Sequence, residues 1–181
     1  MNHFIAKAGA ALLLGALCAA CEKSGPSLFA GNYSFKTSGY LDVQSADAEG
    51  DSAVSTLSLA TRSGQMDITP TGTDGDRVVI TMNETGGDLL VYYATASDDL
   101  LTLEPAARHR VLAADSLRLP VSGTAIGLGE MAEENVTVSG TARRYDNIVL
   151  FDLRYEGTVT MDSTVYTITG SHVNCRAKLN E

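Results

Sequence analysis

Side chains able to do covalent or acid–base chemistry are few in this chain, and they are scattered. Beyond residue 21 there is one cysteine, Cys175, and there are two histidines, His109 and His172. In that region neither a His-x-x-x-His nor a Cys-x-x-Cys spacing occurs, so a tetrahedral zinc site in the domain has no support. His109 lies between Arg108 and Arg110, cationic neighbours that oppose a metal ion. His172 and Cys175 are three residues apart, which on one extended strand points them to opposite faces and disfavours a local dyad. A Gly-x-Ser-x-Gly nucleophile elbow is absent, and no glycine-rich loop opens a helix to cradle phosphate. Asp74 and Asp76 flank Gly75, and Asp98 adjoins Asp99, without the spacing of a calcium loop. Two carboxylates facing each other across a cleft would do glycosidase chemistry, but only a fold brings such a pair together. The expectation is therefore a non-catalytic domain with no metal and no cofactor. A carboxylate-dependent hydrolase is the alternative.

Binding needs anchors rather than nucleophiles, and the anchors available are aromatic and apolar. Tyr92 and Tyr93 are adjacent, so on a strand one faces inward and one outward. Tyr145, Tyr155 and Tyr166 fall in the C-terminal third. The stretch Thr124–Asn135 mixes Ile126, Leu128 and Met131 with glycines and acids. It reads as a packed connector or as a loop at a binding mouth. Tyr92, Tyr93, Ile126, Leu128 and Met131 are the ligand-binding candidates.

The elements that must position them are strands. From Phe29 onward the apolar period is mostly two. Val149, Phe151, Leu153 and Tyr155 alternate with mostly polar residues, as a half-buried strand does. Arg77–Met82 and Leu89–Ala96 are denser in apolar residues and read as more deeply buried strands. Ser55–Ala60, Thr137–Tyr145, Ile148–Glu156 and Thr164–Thr169 complete the clearer set. Turn residues fall between them at Thr73–Asp76, Glu84–Asp88, Asp146-Asn147 and Met161–Ser163. Sequential strands joined by short turns pair antiparallel. Nine or ten strands without a long helix mean an all-β, up-and-down antiparallel barrel or, alternatively, a two-sheet sandwich.

The N-terminus is of another kind. Lys7 is followed by the apolar run Ala8–Ala20, about 13 residues where a membrane-spanning helix needs roughly 20. That length suits the core of a signal peptide. The run ends in Leu17-Cys18-Ala19-Ala20-Cys21. This resembles the lipobox of bacterial lipoproteins, with Ala19 and Ala20 at the small positions and Cys21 as the acceptor. Cys18 stands where the family usually has leucine, and it is the alternative acceptor. The resemblance implies cleavage after residue 20, thioether attachment of diacylglycerol to Cys21 and acylation (palmitate, for example) of the new N-terminus. Two or more chains anchor stably. Residues 21–29 would then form a lipidated tether spanning at most about 30 Å, and residues 30–181 the domain. With both other thiols lost or blocked, Cys175 has no partner for a disulfide.

The whole chain carries a formal charge of −9. Removing the leader, whose one charge is Lys7, makes it −10. That argues against nucleic acid and against adsorption to anionic lipid. Finally, Gly31-Asn32-Tyr33 opens the domain and is similar to the Gly-x-aromatic start of lipocalin-like (calycin) barrels. In that family the aromatic ring packs near a late arginine, for which Arg176 is the candidate here. The resemblance implies a barrel, with or without a small apolar ligand inside. The expected partners are the membrane, through the anchor, and a small apolar ligand, a glycan or an envelope protein. The expected address is the bacterial cell envelope, with the outer membrane favoured. A structural or assembly subunit of an envelope complex is the alternative of another class.

Overall fold

The computed structural model describes residues 25–45, 54–71, 75–86, 89–108, 113–118, 125–126, 136–161 and 164–181. The expected signal peptide (1–20) and the expected lipidation site Cys21 lie outside these residues, as do His109, Leu128 and Met131. One helical turn, α1 (Pro26–Phe29), precedes ten strands. These are β1 (Gly31–Ser45), β2 (Ser55–Pro70), β3 (Arg77–Glu84), β4 (Leu89–Ser97), β5 (Leu100–Arg108), β6 (Ala113–Arg118), β7 (Ala125–Ile126), β8 (Val136–Tyr145), β9 (Ile148–Met161) and β10 (Thr164–Leu179). Eight of them close a ring in the order β1-β10-β9-β8-β5-β4-β3-β2, with β2 returning to β1. Every pairing in the ring is antiparallel. The fold is therefore a closed up-and-down β-barrel, consistent with the lipocalin-like architecture, and not a two-sheet sandwich.

The pleat explains which residues fill it. Along β1, Tyr33, Phe35, Thr37, Leu41 and Val43 are buried, while Ser34, Lys36, Ser38 and Tyr40 face water. The same phase on β9 buries Val149, Phe151, Leu153, Tyr155 and Val159. Apolar side chains point in and polar ones point out, the reverse of a transmembrane barrel. Two turns use aspartate in the left-handed conformation, Asp98 at φ 50° and Asp146 at φ 52°, which a short polar side chain tolerates. The acids Asp98 and Asp99 thus serve the β4–β5 turn.

The ring pairings shift register at several points, between Asp42 and Val43 and between Thr37 and Gly39 on β1 among them. The β5–β8 register shifts between Leu103 and Ala106, at Pro105, which has no N–H to give the ladder. Between β9 and β10 the register breaks from Thr167 to Val173. The Ser171 hydroxyl fills that break, donating to the Leu153 carbonyl (2.9 Å) and accepting from the Tyr155 N–H (3.1 Å). Past the end of β3, strand β6 takes over the outer side of β2, where Leu57 faces Leu117, and β7 pairs with β6.

The end of the barrel where β1 begins is stoppered. Pro26 opens α1 at a position that needs no N–H donor. Phe29 and Tyr33 are fully buried, and the Tyr33 hydroxyl donates to the Phe29 carbonyl at 2.6 Å. Gly25 N–H bonds to the Asp98 carbonyl, fixing α1 to the β4–β5 turn. Residues 25–29, at the end of the expected tether 21–29, thus pack against the barrel. The arginine that closes this end is Arg144, not Arg176. Arg144 donates to the Leu28 and Asp146 carbonyls, while Arg176 is exposed on the outer wall.

Candidate functional site

Among the described residues, one cavity lies inside the barrel and several open grooves lie outside it. The inner one is small. Leu59, Met66, Ile80, Leu90, Leu103 and Phe151 enclose a cavity of about 30 Å³. Small-molecule sites run to roughly 300–1,000 Å³. The cavity admits waters and little more.

Its polar lining is nevertheless unusual. Arg62 on β2 reaches Glu84 at the end of β3, Nη1 to Oε2 at 2.5 Å, with side chains 18% and 8% exposed. Glu84 belongs to the same inward phase as Val78, Ile80 and Met82, and Arg62 to that of Gly64, Met66 and Ile68. An acid and a base each on the apolar phase of its strand are a sequence signal of inward charge. The expected strand Arg77–Met82 stops short of Glu84 and so misses it.

Cys175 shares this cavity and lies opposite Thr37 across β1 and β10. Burial pushes its thiol up to about 11; a hydrogen bond with Thr37 opposes the shift, and the Glu84 charge adds to it. The thiol is therefore protonated and enclosed, the opposite of a reactive cysteine. We expect the native protein to resist a disulfide-exchange reagent at pH 8 and to react on unfolding. The folded thiol keeps its proton to about pH 11, whereas the unfolded one loses it near 9. Stability from this group is complete below pH 9 and falls between 9 and 11, by up to roughly 1.4 kcal/mol per pH unit. Comparing urea midpoints with Cys175→Ala across that window isolates the effect. Equal slopes for the two proteins would contradict it.

The tyrosine candidates separate as the pleat demands. Tyr92 points inward, is buried and lines the cavity. Tyr93 points outward at 46% exposure, with the Arg77 guanidinium 4.8 Å from its ring centre. Arg77 is itself held by two bonds to Glu104, at 2.9 and 2.8 Å. Ile126 lies on β7, paired with Leu117, far along the sheet order from Tyr92 and Tyr93 on β4. The structure therefore does not gather the five candidates within the residues it describes. His172 faces outward while Cys175 faces inward, so they form no dyad. His172 stacks on Tyr40 with centroids 4.5 Å apart and meets Asp42 at 3.1 Å. Among the described residues, no three His, Cys, Asp or Glu side chains converge as a metal would require.

An outer groove involves neither Tyr92 nor Tyr93. On the wall formed by β1, β10 and β9, an open groove of about 640 Å³ runs over Ser34, Ser38 and Asn174. Lys36, Arg176, Lys178 and Leu150 border it. Arg176 and Lys178 are two residues apart and so share a face, a pattern visible in the sequence. Lys36 joins them only through the β1–β10 register, which no local spacing reveals.

No protein-family model matches the chain, and no curated protein or solved structure is significantly similar to it.

Proposed function

We propose that this chain is a non-catalytic, lipid-anchored protein of the bacterial cell envelope whose barrel binds its ligand or partner on the outer wall. The observation that carries this reading is the contrast in space. The interior is filled by buried side chains around a cavity of about 30 Å³, while the exterior offers a groove of about 640 Å³. A small apolar ligand inside would have to displace the core. The inner carboxylate, Glu84, is held by Arg62, which leaves the cavity without a paired acid for hydrolysis.

The anchor is Cys21, with the outer membrane the favoured site. Cys21 stands four residues before Gly25, a reach of about 14 Å. On that reading the α1 end of the barrel faces the bilayer.

Native mass spectrometry of the full chain extracted from bacterial membranes tests both halves. We expect a mature N-terminus at a diacylglyceryl-modified Cys21 and no small apolar molecule carried with the protein. An unmodified N-terminus overturns the anchor. A stoichiometric apolar passenger overturns the outer-wall reading.

A further inference from the structure

We propose that the outer groove bordered by Lys36, Arg176 and Lys178 is a binding site for the phosphate group of a compact soluble molecule, a sugar phosphate being the fitting class. The proposal rests on the outer-wall reading and names the ligand of that wall.

Lys36 and Arg176 lie directly opposite each other on β1 and β10. Opposed residues on one face have Cβ atoms about 5 Å apart, and like charges there are destabilising. Lys178 is the next outward position along β10, about 7 Å further on. Acidic residues outnumber basic ones, 22 to 13, yet among the described residues none forms an ion pair with this group. Asp152, the acid on the neighbouring wall, is opposite Asn174. Among the described residues, Lys36, Arg176 and Lys178 make no ion pair, whereas Arg62, Arg77 and Arg143 each do. Three uncompensated cations facing one open space favour a dianion over a single carboxylate. A planar guanidinium offers paired N–H donors to phosphate oxygens, and the ammonium groups add point charge. The Ser38 hydroxyl and the Asn174 amide on the floor suit the hydroxyls of a sugar.

Other occupants fit less well. A peptide adding itself as a strand needs a free edge, but β1 and β10 are each paired on both sides. A long polyanion would meet the repulsion of a body carrying −9. An anionic bilayer approaching the α1 end would meet the exposed Asp67, Asp98, Asp146 and Glu181.

The test is calorimetric titration of the full chain in a non-ionic detergent with glucose 6-phosphate, with glucose, and with phosphatidylglycerol vesicles, at low salt. We expect one saturable site for glucose 6-phosphate and none for glucose. Lys36→Gln with Arg176→Gln should weaken binding at least about tenfold without lowering the melting temperature, since both side chains are exposed. Arg154→Gln, an exposed cation away from the groove, should leave binding unchanged. No binding of glucose 6-phosphate, equal binding by the double variant, or binding to vesicles alone would overturn the proposal. Failure here with an empty interior removes the phosphate ligand and leaves the outer-wall reading standing. An occupied interior removes that reading itself.

Discussion

Gly39→Ala is expected to cost roughly 3–5 kcal/mol, a large part of a domain's usual margin of stability. Gly39 has φ 153°, so an added Cβ would point at the partner strand. It would sit 2.1 Å from the His172 carbonyl oxygen and 2.6 Å from the Val173 Cα. Those atoms belong to β10, whose main chain cannot move without opening the β1–β10 seam. Gly64→Ala should behave alike, because its Cβ would meet the Asn83 carbonyl oxygen at 2.0 Å, and it does so without a positive φ. Gly75→Ala supplies the contrast: φ is 41° but nothing lies within 4 Å, so only conformational strain of about 1–2 kcal/mol applies. Urea denaturation of the three variants should rank Gly75 well apart from the other two. A Gly39→Ala protein within about 1 kcal/mol of the parent would mean that the two strands are not in this register.

The second large effect concerns the buried ion pair. Glu84→Gln leaves the Arg62 guanidinium in a mostly apolar surround without its counter-charge. Removing one partner of a buried pair costs roughly 3–5 kcal/mol, and Arg62 is 18% exposed, so we expect about 2–4 kcal/mol. Arg62→Met with Glu84→Leu removes both charges and fills the space with carbon, and most of the loss should return. Glu84 makes a further contact besides Arg62, so the pairwise energy must come from a double-mutant cycle and not from either single change. A cycle showing coupling below about 0.5 kcal/mol would mean that the pair contributes no more than a surface one.

Much of this architecture is legible in the residues alone, because period two and turn chemistry are local. The strands at Arg77, Leu89, Val136, Ile148 and Thr164 begin within a residue or so of where alternation places them. The turns at Gly75, Gly86 and Asp146 have the positive φ their residue types suggest. The face of β4 is not legible. Leu90, Tyr92, Ala94 and Ala96 are apolar, but so are Leu89, Val91 and Tyr93 on the other side. With both phases apolar, only the pairing with β3 and β5 decides that Tyr92 is inside. The filled interior is illegible for a related reason, since the sum of side-chain volumes in a barrel depends on how its strands are staggered. The break at Pro105 is local in the sequence, but its role in closing β5 onto β8 is not.

The outer groove illustrates the same limit in the functional residues. Arg176 and Lys178 announce a common face by spacing alone. Their meeting with Lys36 is a property of register between strands at opposite ends of the chain. Similarly, the resemblance to lipocalin-like barrels points to an arginine beside the first aromatic residue. The residue expected there, Arg176, faces outward; Arg144 from β8 stands near Tyr33 instead, and its charge partly offsets the rise in the Tyr33 pKa that burial causes.

Titration of the purified full chain with a fluorescent long-chain fatty acid tests most directly whether this barrel is a filled scaffold or a container. A filled interior gives no saturable one-to-one signal, and it leaves the Cys175 thiol equally protected with and without the fatty acid. Stoichiometric binding that a bulkier residue at Ala94 abolishes would place the ligand inside and contradict the account.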